Sequence, residues 1–533
     1  MRKLKHWGWG YADEQPGLDQ LRETAGFLRA HLGFGWEEPE QPAPLPRLRP
    51  ARLRPPDGLA AICSLDDEVR ARHSYGRSYR DVVRGFRGQY ESVTDVVARP
   101  GDERELEAVL EWAIGAGAIV IPYGGGTSVV GGVEAPLDAG AVVTIDMGRM
   151  DRVLEADDVS LSARIQAGAS GPRLEEQLAA HGLTLRHYPQ SFTFQTLGGA
   201  IATRAGGHFA TRQTHIDDFV ESVRALTPSG WWESRRLPGS GAGISPDRLL
   251  LGSEGTLGVI SEAWMRVMRR PSHRASATVR FSRWWDGVAA ARAVVQSGLT
   301  PANCRLIDAD EARLTFAGDG SAALLLLAFE SDSLEVEELL GQALTFCDAG
   351  EVSERRRAGD RGEAAESWRE SFTRAPYLRD TFVAVGVISE TFESAITWER
   401  FPAFHERVIE WTRAAVVSAC GDGSVTCRLT HVYPNGCAPY FTVLAPARRG
   451  EELEQWEAVK RAASDAVIES GGTITHHHAV GRDHRPWYDR QRPDVFAQAL
   501  AAAKRAVDPA GSLNPGVLID AGGGGGGGVS SSS

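Results

Sequence analysis

Three short glycine-dense loops fall between positions 122 and 258, and they limit what this chain can fold into more than any other feature. The first reads PYGGGTS from Pro122 to Ser128 and is followed at once by VVGG. The second reads PQSFTFQTLGG from Pro189 to Gly199 and runs into AIATRA. The third reads GSEGTLG from Gly252 to Gly258 and runs into VISEA. Three consecutive glycines after a strand let the backbone turn with positive φ and aim several N–H groups at one point. Such a nest of amides is an anion site, and a pyrophosphate uses it best. No glycine stands three residues after Gly126, so the loop is not GxGxxG and a Rossmann nicotinamide site has little support. Each loop alone could also be a turn that binds nothing. Three in this order are a specific signal.

Composition sets the outer limits. At roughly 150 residues per domain, 533 residues suggest two to four folding units. Hydrophobic residues at 42% and charged residues at 24% exclude wholesale disorder. A net charge of −12 argues against tracking nucleic acid by bulk charge. No run reaches the roughly 18 apolar residues of a membrane-spanning helix. The start, MRKLKHWGWGYADE, has no apolar core and is no secretory signal. Six cysteines without CxxC spacing suggest neither zinc nor a disulfide framework, no metal site is expected, and a reducing cytoplasm fits them.

The expected organisation is an N-terminal arm and helices over 1–93, a domain over 94–270, a second over 271–480, a returning segment over 481–520 and a flexible Gly/Ser tail over 521–533. Seven prolines in Glu37–Pro56 make that stretch an extended arm. Helices are expected at Asp102–Ala116 and Pro172–Ala180, with strands at Ala118–Pro122, Ala141–Asp146, Leu161–Ala167, Val220–Thr227 and Gly258–Arg269. Past Pro271 the pattern is strand Ala275–Phe281, helix Trp284–Ser297, strands Ala302–Ile307 and Ala322–Glu330, and helix Leu334–Cys347. That is an α+β cap with helices on one face of an antiparallel sheet. An apolar strand is expected over Thr381–Ser389, and Arg355–Arg357 reads as a solvated charge run.

The three loops together resemble the flavin-binding domain of the vanillyl-alcohol-oxidase (PCMH) type of FAD enzymes, over about Val96–Arg270. The resemblance implies a two-subdomain FAD-binding domain with a ferredoxin-like α+β cap. It implies cofactor contacts from Pro122, Tyr123, Gly124, Gly125, Gly126, Thr127 and Ser128, and from Pro189, Gln190, Ser191, Phe192, Thr193, Phe194 and Gln195. It adds Ala202, Thr203, Arg204 and Ala205, and then Gly252, Ser253, Glu254, Gly255, Thr256, Leu257 and Gly258. Covalent members attach flavin through His or Cys; the first loop has neither, which implies non-covalent FAD.

Four further segments resemble the alkyl-dihydroxyacetone-phosphate synthases of ether-lipid synthesis: KHWGWGYADE, CRLID at Cys304–Asp308, YLRD at Tyr377–Asp380 with ETFE after it, and CRLTHVYPNGCAPYF with THHHAVGRDHRPW. Through them Arg305 falls on an important arginine, Arg379 on a substrate-binding one, Tyr440 on the active-site tyrosine and His476, His477 and His478 on the histidine loop. Read by themselves, these residues allow blander roles. Adjacent histidines alternate faces, so at most two of the three share a site. Arg379 is a surface charge or a phosphate fork. Tyr440 is a core tyrosine, or an acid–base group whose pKa of about 10 neighbouring cations would have to lower.

The long amphipathic insert of eukaryotic members, which docks on membrane, is missing between Asp310 and Ala322. The implied reaction exchanges the acyl group of acyl-dihydroxyacetone phosphate for a long-chain fatty alcohol through a flavin N5 adduct. The alternative is an FAD-dependent oxidase or dehydrogenase of a 2-hydroxy acid. The partners are small molecules and not nucleic acid; peripheral membrane contact and a homodimer stay open.

Overall fold

The computed structural model describes residues 3–137, 139–209, 211, 213–357 and 376–520. Val96–Ala98, Val142–Asp146 and Ile119–Tyr123 form a parallel sheet with Val142–Asp146 in the middle; the two-residue strand Cys63–Ser64 is antiparallel at its edge. Parallel strands need a crossover, and helix Glu103–Gly115 supplies it between Val96–Ala98 and Ile119–Tyr123, the strands on either side of the middle one. Asp102 caps that helix by accepting the Glu105 N–H at 2.9 Å, and the stripe Leu106, Val109, Leu110 and Ala113 is buried. Strand Ile119–Tyr123 therefore delivers the first glycine loop at its carboxyl end, where open parallel sheets take ligands. A second, antiparallel sheet has the order Val153–Asp157, Ser162–Gln166, Val259–Arg266, Val220–Thr227, Gly230–Glu233. Around it lie the other two loops.

From His273 onward the strands join one eight-stranded antiparallel sheet. Its first half runs strand–helix–strand–strand–helix–strand, from His273–Phe281 to Glu351–Arg357, which is the ferredoxin-like unit. The second half repeats it: strand Val387–Glu393, helix Phe401–Cys420, hairpin Ser424–Tyr433/Gly436–Pro446 and helix Glu452–Glu469. The halves meet at Leu306↔Leu429 and Ile307↔Arg428. Helices Trp284–Gln296, Glu337–Leu344, Phe401–Cys420 and Glu452–Glu469 pack into one core on one side of the sheet. The other side is left to form a site.

Three expectations need correction. Residues 376–384 are helical, and the strand expected over 381–389 starts only at Val387. A short apolar run does not distinguish helix from strand, and Gly386, with φ +71°, turns the chain between the two. Arg355, Arg356 and Arg357 lie in the edge strand Glu351–Arg357, where arginines discourage further pairing; the Gly/Ser tail is outside the described residues. The helix expected over Leu334–Cys347 is Glu337–Leu344.

Both ends of the chain are tied in. Trp7 and Trp9 are buried, and Trp7 meets Phe86 edge-on at 5.2 Å. Lys5 pairs with Asp380 at 2.9 Å with both side chains buried, and the Trp9 N–H donates to the same carboxylate. A Cβ on Gly8 would stand 2.4 Å from that carboxylate, so the glycine between the tryptophans is needed for the approach. At the other end Leu513 bridges to Val120. Lys504 is buried against Asp508 and donates to the Thr256 and Leu513 carbonyls. Among the described residues, no helix is long and apolar enough to cross a membrane.

Candidate active site

A cavity runs between the glycine loops and the open side of the cap sheet. Strand periodicity explains which cap residues enter it. Ser389 and Thr391, Arg428 and Thr430, and Tyr440, Thr442 and Leu444 point in, while Phe392, Cys427, Leu429, Phe441 and Val443 between them belong to the helix-covered core. Register fixes the neighbours: Tyr440 lies opposite both Glu393 and Arg428. A bulge between Leu429 and His431 lets consecutive residues, Thr430 and His431, face the cavity together.

All seven residues of the first loop line it. The N–H groups of Gly124, Gly125, Gly126, Thr127 and Ser128 donate to no acceptor among the described residues. Five successive unspent donors fit a pyrophosphate, and so the loop fits FAD. A Cβ on Gly124 would stand 2.1 Å from Thr196 Oγ1 and one on Gly125 1.8 Å from the Phe194 carbonyl. Glycine is thus demanded there by packing on the second loop, and not by space for the ligand alone.

The other loops contribute in part. Pro189, Gln190, Ser191, Gln195, Ala202, Thr203, Ala205, Glu254, Gly255 and Gly258 line the cavity. Phe192, Thr193, Phe194, Arg204, Gly252, Ser253, Thr256 and Leu257 do not. Phe192 packs on Tyr188, and Phe194 packs among Trp9, Tyr11 and Tyr377. Thr193 is exposed at the loop's tip. Arg204 pairs with Asp217 at 2.7 Å. Gly252, at φ +78°, makes the turn in which Ser253, Thr256 and Leu257 are buried. Glu254 accepts the Val480 and Gly481 N–H groups at 2.9 and 2.7 Å, tying this loop to the chain after the histidines; burial pushes its carboxyl up to about 7.

Tyr440, Arg379, His477 and His478 converge on the cavity. The Tyr440 hydroxyl donates to Gln190 Oε1 at 3.5 Å, and the Arg428 guanidinium lies 3.8 Å over its ring. Burial pushes the phenol up, and Arg428 and Arg379 offset this only in part. The cation-lowered pKa expected of Tyr440 is therefore not found, because desolvation outweighs the guanidiniums. Arg379 donates from Nη1 to the Arg77 carbonyl at 2.7 Å. Its Nε is buried without a partner among the described residues, which leaves the fork available to an anion.

Arg305 and His476 stand elsewhere. Arg305 is wholly buried behind the cavity, its guanidinium 3.4 Å from His208. Alternation turns His476 out of the cavity, towards His215 and Tyr433. Glu393, buried beneath the loop, accepts the N–H groups of His476, His477 (3.1 Å) and His478 (2.8 Å) and the Thr475 hydroxyl. Burial alone would raise its carboxyl, but His478, His476 and these bonds outweigh it and hold it below the ordinary range. Burial pushes all three imidazoles down. Two sets could hold a metal ion: His431, His476 and His477, and Glu393, His477 and His478.

Sequence reasoning missed Arg428 with its partner Glu311, as well as Glu393, His431 and Trp9, all of which line or brace the cavity. The period-two pattern of the hairpin carrying Tyr440 holds the signal for Arg428.

Residues 94–234 match the family described as FAD binding domain, and residues 270–518 match FAD linked oxidases, C-terminal domain. The alkyldihydroxyacetonephosphate synthase of Trypanosoma brucei brucei is 30% identical over 505 residues, 89% of this chain and 82% of that protein. The Caenorhabditis elegans synthase is 29% identical over 97% of this chain and 96% of its own. A solved alkyldihydroxyacetonephosphate synthase superposes with a TM-score of 0.81 at 25% identity, covering 96% of this chain and 98% of that one.

Proposed function

This chain belongs to the alkyldihydroxyacetonephosphate synthase family, and we propose that it exchanges the acyl group of acyl-dihydroxyacetone phosphate for a long-chain alcohol. It is an FAD-dependent enzyme. FAD, when bound, supplies an electrophilic ring system and electron sink that activates the substrate carbon. The amides of Gly124–Ser128 would hold its pyrophosphate, and Pro189–Ser191, Ala202, Thr203 and Glu254–Gly255 would follow the rest.

The chain's own residues do the binding and the proton work. Arg379, with Nε unspent, would take the phosphate bidentately. Leu314, Leu378, Phe382 and Leu444 form an apolar end of the cavity that suits aliphatic chains. Tyr440 would move the C1 proton. Because its phenol rests protonated, each proton it takes from carbon is matched by one passed to an imidazole. His477, with its ring 6.0 Å from that of Tyr440 and tilted by 22°, is placed to receive it. Arg428 would steady the phenol's charge from the ring face. Six free cysteines accord with a cytoplasmic setting.

The observation that carries this reading is the meeting of Tyr440, Arg379 and two histidines over one amide nest. The test incubates purified protein with acyl-dihydroxyacetone phosphate and labelled fatty alcohol. Label in an ether product is expected. Its absence, with anaerobic bleaching of the flavin by a 2-hydroxy acid, would replace the synthase with the oxidoreductase alternative.

A further inference from the structure

The proposed exchange, on whose reading this inference rests, has a proton balance. Ester plus alcohol gives ether plus carboxylic acid, and near neutral pH that acid leaves as carboxylate. One proton per turnover must therefore depart from a cavity walled by Tyr440 and His431, both almost fully buried.

The structure contains a route. His477 lines the cavity, and its Nδ1 lies 3.0 Å from Nδ1 of His476. Nε2 of His477 has no protein partner among the described residues. Nε2 of His476 lies 3.1 Å from Nε2 of His215 and 2.7 Å from the Tyr433 hydroxyl, which in turn is 3.2 Å from Thr214 Oγ1. His215 is the least buried of the three imidazoles. His476 thus presents one nitrogen to His477 on the cavity side and the other to His215. Only such bifunctional groups in series can accept a proton on one atom and release another from a second.

We propose that His477, His476 and His215 form a proton exit from the active site, with Tyr433 holding His476 in line. A proton arrives at Nε2 of His477, the Nδ1–H of that ring passes to Nδ1 of His476, and the Nε2–H of His476 passes to His215 and on to solvent. One N–H forms and one breaks at each ring, no electrons are exchanged, and the charge leaves at the surface. Glu393, 3.9 Å from Nδ1 of His477, stabilises the passing imidazolium. His476 and His215 act through His477 and touch no substrate, so both are positioning residues of this reaction.

His215→Ala separates the relay from a structural role, because a partly exposed end can be replaced by a diffusible base. The variant should bind FAD and melt like wild type, with KM unchanged and kcat lowered about tenfold or more. Added imidazole should restore kcat saturably, and the solvent deuterium isotope effect should rise. His476→Gln should lose kcat to a similar degree with weaker rescue, since His476 lies deeper than His215. Unchanged kcat in either variant, or a His215→Ala loss that imidazole does not restore, overturns the relay. Wild-type activity abolished by a chelator and restored by a divalent cation would overturn it in favour of a metal ion on His431, His476 and His477. A wild type that forms no ether removes both the relay and the synthase reading, whereas an active wild type with an unaffected His215→Ala removes the relay alone.

Discussion

At the scale of single residues, the cap strands place unlike chemistry on one surface by alternation alone, and Tyr440 is the sharpest case. Tyr440→Phe keeps the ring beneath the Arg428 guanidinium and removes a hydroxyl whose protein acceptor is only a long contact to Gln190. Flavin content and melting temperature should hold, while turnover falls by about 10²–10⁴, the usual contribution of a positioned acid–base group. A tyrosine that merely fills the core would show near-normal turnover instead. Arg379→Lys should give the reverse balance: KM rises most, because an ammonium keeps the charge but loses the planar fork. Tyr440, Arg379, His477 and His478 were legible as cavity residues from short motifs. Arg428 and Glu393 were not, because each owes its place to cross-strand register with Tyr440, which no motif records. His476 was legible only as one of three equivalent histidines; alternation says that they diverge but not which one leaves.

At the scale of elements, strong periodicity and caps placed the seven elements expected in the first domain close to where they stand, but gave no sign of Val96–Ala98, Val153–Asp157, Leu197–Thr203 or Gly230–Glu233. The failure over 381–389 is instructive. Its apolar residues serve a helix held by a partner more than 370 positions away, since Lys5 and the Trp9 N–H both bind Asp380. That clamp sits next to Arg379, which gives the tryptophan–glycine start of the chain a physical purpose. Lys5→Met should cost about 3–5 kcal/mol, the range for a buried pair losing one partner. Lys5→Met/Asp380→Asn should recover much of it, because the stranded charge is gone while an oxygen still accepts from Trp9; equal melting temperatures for the single and double variants would refute the clamp. A second link, Glu254 to Val480 and Gly481, has a pH signature. Its folded pKa, near 7, lies above its ordinary 4.5. Its contribution is therefore fully present below about 4.5 and is lost as pH rises through 7. Denaturant melts should show wild type losing stability from pH 5 to 8 more steeply than Glu254→Gln.

At the scale of the whole molecule, two structures are pressed together across a cavity that neither completes. The cap contributes a duplicated ferredoxin-like sheet, a repeat that its sequence does not advertise because the second half lacks the fourth strand. The other part contributes five amide donors between Gly124 and Ser128 with no acceptor among the described residues. Donors held in a fixed loop, braced by Phe194 and Thr196, are costly to leave unspent. The pyrophosphate should therefore supply a large share of cofactor binding, and binding to the folded state alone raises stability by about 2.7 kcal/mol at a hundredfold excess over Kd. Protein stripped of flavin should consequently gain melting temperature in the order FAD, then ADP, with riboflavin well behind, since riboflavin carries the ring but no phosphate. Acid should release the flavin intact from the holoenzyme, because the first loop offers no histidine or cysteine. Gly125→Val drives a side chain into the Phe194 carbonyl and should abolish the response to ADP. If riboflavin protects as well as FAD, or if Gly125→Val still responds to ADP, the amide nest is not where the cofactor is held, and the assignment of the first loop falls with it.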